Sequence, residues 1–199
     1  MLRESFLGKN PSRFQFNPIV KAFIISEGFL WSAYNFLIPI FAIFVVNNII
    51  GGNIQIAASA FSCFLVSRVL FELIICRFLL RKSEKTKLLF VILGTVILSV
   101  SYFGFSFATN IPSLFIFFVI AGMGLGIASP PKNATFSIHL DKNKEETEWG
   151  LHDAVVFMGM ASTTALGGFI ATQYGFSFLF ILAAIVNLLA IIPYLLYIF

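Results

Sequence analysis

Residues 54–87 read IQIAASAFSCFLVSRVLFELIICRFLLRKSEKTK. From Ile54 to Leu80 the only ionised residues are Arg68, Glu72 and Arg77. The stretch is long enough for a helix to cross a hydrocarbon core of about 30 Å. Arg81, Lys82, Lys85 and Lys87 follow at once against a single acid, Glu84, and Gly51-Gly52-Asn53 breaks the chain just before. An apolar span that runs into a basic loop is the pattern of a membrane helix whose charged end stays on the cytoplasmic side.

The rest of the chain repeats that pattern. Its 199 residues are 59% hydrophobic, 17% aromatic and only 11% charged, with a mean hydropathy of +0.95. Soluble domains carry about 25% charged residues, and none of this size hides so much apolar surface. Disorder is excluded on the same composition. The expected class is an all-α integral membrane protein, a bundle of six transmembrane helices at about 18–46, 54–80, 88–108, 112–138, 149–172 and 176–198. A basic cytoplasmic tail, 1–17, precedes them with Arg3, Lys9 and Arg13. That tail is too polar, and the apolar stretch after it too long, for a cleavable signal peptide. Asn17 reads as an N-cap with Pro18 in the first helical position. Pro130-Pro131 is expected to bend or end the fourth span early.

Segments 47–53, 109–111 and 173–175 contain no Lys, Arg, Asp or Glu. The alternate connections carry the charge, including Lys142 and Lys144 beside Asp141, Glu145, Glu146 and Glu148. That alternation places both termini in the cytoplasm of a multi-pass plasma-membrane protein. It accounts for the net charge of +4 without a nucleic-acid partner. The uncharged loops are too short for a receptor domain. Cys63 and Cys76, in or at the end of one span, read as reduced small hydrophobes. His139 and His152 are too few for a metal centre, and no His-Glu-x-x-His helix occurs. Ser106 and Ser177 lack the following glycine of an intramembrane serine nucleophile, and His152 has no evident serine partner. No enzyme, cofactor or metal is expected.

Ionisable residues within spans cost about 2.5–3.5 kcal/mol each on insertion scales and are functional candidates by default. Five of them, Glu27, Arg68, Glu72, Lys132 and Asp153, are weighed as such, all in the cytoplasmic half by helical rise. They read as an inner gate or ion-pair network, with Glu27–Arg68 the expected pair and Glu72 a local partner for Arg68 at i,i+4. A purely structural ion cluster is the alternative. Trp31, Tyr34 and Asn35 follow Glu27 on one helical face and are candidates to line a cavity; the rings serve equally as packing between helices. Gly122 and Gly126, with Gly159, Gly167 and Gly168 in the next span, provide surfaces for close helix approach. Gly122-Met-Gly-Leu-Gly126 sits inside an apolar helix and is not a dinucleotide fingerprint.

The stretch Ser67-Arg68-Val-Leu-Phe-Glu72-Leu-Ile-Ile-Cys76-Arg77-Phe-Leu-Leu80-Arg81-Lys82 resembles the second span and following loop of the major facilitator superfamily. Arg77, Arg81 and Lys82 match its basic cytoplasmic loop, whereas Cys76 and Leu80 stand where a glycine and an aspartate are usual. Residues 121–133, with Gly122, Gly126 and Pro130-Pro131, are similar to the family's fourth span. Residues 159–180 resemble its fifth span, tight turn and sixth span, and Thr163-Thr164 replace the Gly-Pro of the antiporter motif. The resemblance covers about residues 18–198 and implies the N-terminal six-helix half of a twelve-helix transporter. It also implies alternating-access transport of a small solute, in lipid, by a homodimer or with a separately encoded second half. A non-transporting assembly subunit using its glycine-rich faces, or a truncated fragment, are the alternatives.

Overall fold

The computed structural model describes residues 17–198. Arg3, Lys9 and Arg13 of the basic tail lie outside the described residues. The helices are α1 (Pro18–Leu37), α2 (Phe41–Asn48), α3 (Ile54–Phe78), α4 (Glu84–Phe105), α5 (Ile111–His139), α6 (Glu145–Tyr174), α7 (Phe176–Leu189) and α8 (Ile192–Ile198). They make six spans, because α1–α2 and α7–α8 are each one span with a break. Ile38–Ile40 forms a single 3-10 turn between α1 and α2. Pro39 lies within it and has no N–H to donate, so the first span breaks where the sequence reads as continuous.

The helix starts are set by short polar side chains. The Asn17 side chain accepts from the Ile19 N–H, and Pro18 takes the first turn. Asn53 accepts from Ile56 and Ser83 from Thr86, while Asn110 and Ser113 form a reciprocal capping box. Gly175, at φ +83°, allows α6 to turn straight into α7.

The fourth span does not end at its prolines, contrary to expectation: α5 runs on through Pro130 and Pro131 to His139. The prolines withdraw the donors that would reach the carbonyls of Gly126 and Ile127. Packing on both sides carries the helix across the gap. Ile127 joins Ile75 and Leu79 before the prolines, and beyond them Phe136 stacks on Phe23 with ring centroids 3.9 Å apart.

Helix contacts define a row in the order α3, α5, α4, α7–α8, α1, α6, bent back on itself where α2, the second half of the first span, meets α3. Glycines permit the closest approaches. A Cβ on Gly124 would come within 2.6 Å of the Leu98 nitrogen, and one on Gly122 within 2.3 Å of the Phe64 carbonyl oxygen. The central core is aromatic, with Phe41 against Phe44, Phe105, Phe118 and Phe180. Asn187 on α7 donates to the Thr95 carbonyl and to Ser99 Oγ on α4, a polar tie worth having where no water competes. The two ends of the row are left bare. Only 22% of the apolar window in α3 and 11% of that in α6 is buried, against 39–56% in the other spans.

Candidate functional site

The α1–α6 contact is close because its residues are small. A Cβ on Gly159 would lie 2.3 Å from Ser32 Oγ, one on Gly167 2.7 Å from the Phe36 carbonyl oxygen, and one on Gly28 2.9 Å from Val155. This approach brings the first turns of α6 against Glu27. On the other side α1 meets α5 mainly near the end of the bundle that bears the 79–83 and 140–144 connections, where Val20, Phe23, Ile24 and Phe136 cluster. Glu27, Lys132 and His152 each lie about 10–14 Å by helical rise from that charged end.

The Glu27 carboxylate is the hub. Lys132 Nζ donates to Oε1 at 2.6 Å, and both side chains are almost wholly buried. Trp31 Nε1 donates to Oε2 at 3.0 Å. His152 Nε2 lies 3.9 Å from the same Oε2, and His152 Nδ1 is 3.0 Å from Asp153 Oδ1. The Asp153 side chain is 57% exposed, so the chain of groups runs from the surface of α6 to the buried carboxylate. A buried ion pair is a poor source of net stability, yet breaking one is costly. The pair joins α1 to α5 beside the Val20, Phe23, Ile24 and Phe136 cluster, as a latch between the two helices.

The expected Glu27–Arg68 pair does not form. Glu27 takes Lys132, and Arg68 Nε pairs along its own helix with Glu72 at 2.9 Å, both side chains about one-third exposed. Both arginine and glutamate lie on α3, at the far end of the row from α6, while Glu27 faces α5 and α6. Of the three cavity candidates, Trp31 bonds the carboxylate and Asn35 Nδ2 donates to the Trp31 carbonyl at 3.0 Å. Tyr34 stands edge-on to Trp31 and lines a void of about 20 Å³ with Leu37, Phe41, Phe61 and Tyr102. Arg77, Arg81 and Lys82 are exposed at the charged end, with Lys82 Nζ 5.6 Å from the Phe78 ring centre. Gly122, Gly126, Gly159 and Gly167 all face neighbouring helices, whereas Gly168 faces open space.

Sequence reasoning set His152 aside for want of a serine partner. The signal that was present is a His-Asp pair entering an apolar helix one turn after Glu148, itself completely buried. Among the described residues no group of three or more His, Cys, Asp or Glu could hold a metal ion.

The sequence model described as "Major Facilitator Superfamily" matches residues 23–199. Among solved structures, the fold is similar to the crystal structure of the POT family transporter PepTSo, with a TM-score of 0.79 at 12% identity. That match covers 92% of this chain and 37% of the transporter, so the chain spans well under half the length of that protein.

Proposed function

The chain belongs to the Major Facilitator Superfamily, and from that premise we propose that it works as one half of a small-solute transporter, paired with a second six-helix unit. One observation carries this reading. Almost all of the chain superposes on just over a third of a transporter. The bare faces of α3 and α6 support it as surfaces for the second unit, with Val66, Leu73, Phe157 and Met158 all more than half exposed. Two copies related by an axis along the membrane normal keep the same orientation and bring these faces together.

In this reading the charged end is cytoplasmic, the protein resides in the plasma membrane, and rocking of one unit against the other alternates access. Trp31, Tyr34 and Asn35 face the solute path. The Glu27–Lys132 latch, the Arg68–Glu72 pair and Asp153 form inner contacts that break and remake between states. The alternative of a non-transporting subunit built on glycine-rich faces gains little, because four of those five glycines are already covered within the bundle.

The experiment is solute uptake into proteoliposomes holding the purified protein, screened across solute classes, with Arg68→Gln alongside. Uptake that Arg68→Gln reduces at unchanged protein abundance supports the reading. Partner capture without flux of any solute supports the subunit instead.

A further inference from the structure

The His152 ring occupies a box built from three helices. Its centroid is 5.4 Å from that of Phe23, 6.0 Å from Phe136 and 5.5 Å from Trp149. Nδ1 reaches exposed Asp153, while Nε2 is buried with no hydrogen-bond partner and looks at Glu27 Oε2 from 3.9 Å. A neutral imidazole carries one hydrogen, so in either tautomer one ring nitrogen presents a lone pair to a carboxylate. A second proton turns both nitrogens into donors, so that Nδ1–H is hydrogen-bonded to Asp153 and the charged ring faces the Glu27 carboxylate as an ion pair at 3.9 Å.

We propose that His152 is a proton-binding site, filled from solvent through Asp153, whose loading fastens α6 to α1 at Glu27. Starting with hydrogen on Nε2, the ring accepts at Nδ1 a proton from the Asp153 carboxyl, which has taken it from hydronium at the surface and left a water molecule. Asp153 returns to carboxylate, the imidazolium donates from Nδ1 to Asp153 and sets its Nε2 charge against Glu27, and no other bond changes. The groups facing the site are Glu27 from α1, Lys132 from α5 across the carboxylate, and Asp153 and buried Glu148 on α6 itself. With neutral His152 and all carboxylates ionised, the set Glu27, Lys132, Glu148, Asp153 and His152 carries two net negative charges, and the proton halves that excess, a gain at membrane depth. That this fastening regulates an inner gate rests on the transporter reading above; the proton site itself does not.

Trp31 and Trp149 are the two tryptophans of the chain, one bonded to Glu27 and the other edge-on to His152. The test is intrinsic fluorescence of the full chain in lipid nanodiscs, titrated from pH 5 to 9. A one-proton transition is expected within that range. It persists in His139→Gln and in Trp31→Phe, and it disappears in His152→Gln. Asp153→Asn displaces its midpoint, and an unchanged midpoint there overturns the role given to Asp153. A folding failure of His152→Gln would give the same loss, so histidine-selective NMR on His139→Gln follows the native ring directly. A ring signal that is flat from pH 5 to 9 overturns the proposal. Neither measurement involves a solute, so a flat titration leaves the transport reading standing, and absent uptake leaves the proton site standing.

Discussion

Replacing Lys132 by Met keeps a similar apolar stem and removes the ammonium that lies 2.6 Å from Glu27 Oε1. At an effective dielectric near 20, the attraction lost is about 6 kcal/mol. Part of that is offset because the lysine no longer has to be desolvated, and orphaning one member of a buried pair costs about 3–5 kcal/mol in practice. Glu27 retains the Trp31 N–H at 3.0 Å, which is too little to hold a full charge away from water. Lys132→Met is therefore destabilised by about 3–5 kcal/mol at pH 8. Glu27→Gln, which strands the ammonium instead, is destabilised too. The double variant Glu27→Gln/Lys132→Met has no buried charge left in the pair and returns to within about 1 kcal/mol of wild type. Equilibrium unfolding in mixed micelles, followed by circular dichroism, gives the three numbers of a double-mutant cycle. If the double variant loses the sum of the two single losses, the residues do not interact at depth and the latch is refuted.

The remaining expectations are smaller. Gly124→Ala pushes a methyl into the Leu98 backbone and loses about 1–3 kcal/mol, whereas Gly168→Ala, with open space around it, stays within about 1 kcal/mol of wild type in the same assay. Asn187→Leu breaks the α4–α7 tie to Thr95 and Ser99 and loses about 0.6–2 kcal/mol. Arg68→Gln removes a half-open pair and changes stability by less than about 1 kcal/mol; a larger loss makes that pair structural. In a background without Cys63 and Cys76, a cysteine at Lys82 reacts with an impermeant reagent only from the cytoplasmic side and one at Thr109 only from outside; the opposite labelling inverts the topology.

Much of this architecture is legible in the sequence for a plain reason. A span must be long, apolar and closed by turns, and Gly51-Gly52-Asn53 marks one of those turns plainly, whereas the expected start of the third span at 88 passes over the Ser83 cap and the helical turn that follows it. Pro39 and Pro130-Pro131 show the limit of local rules. The same missing donor breaks the first span and leaves the fourth intact, and only the neighbours of each helix decide which. The charged cluster exposes a second limit. With the fourth span expected to bend or end at Pro130-Pro131, Lys132 reads as a residue near the inner interface, and Arg68 is the deeper cation left for Glu27. The helix runs on to His139 instead, which carries Lys132 to the depth of Glu27, while Arg68 turns to Glu72 on its own helix. His152 was missed because its partner lies on a helix more than a hundred residues away, and nothing beyond the adjacent Asp153 marks it in the sequence.

The central claim is that this chain is half of a working unit, with the bare faces of α3 and α6 turned toward a second six-helix body. The most direct measurement is the mass of the particle released gently from its native membrane, by native mass spectrometry. The account predicts a particle of twelve spans, about twice 22.1 kDa when two copies pair, or this chain with a different six-span partner. A lone six-span particle of 22.1 kDa that nevertheless carries solute across a bilayer would contradict it.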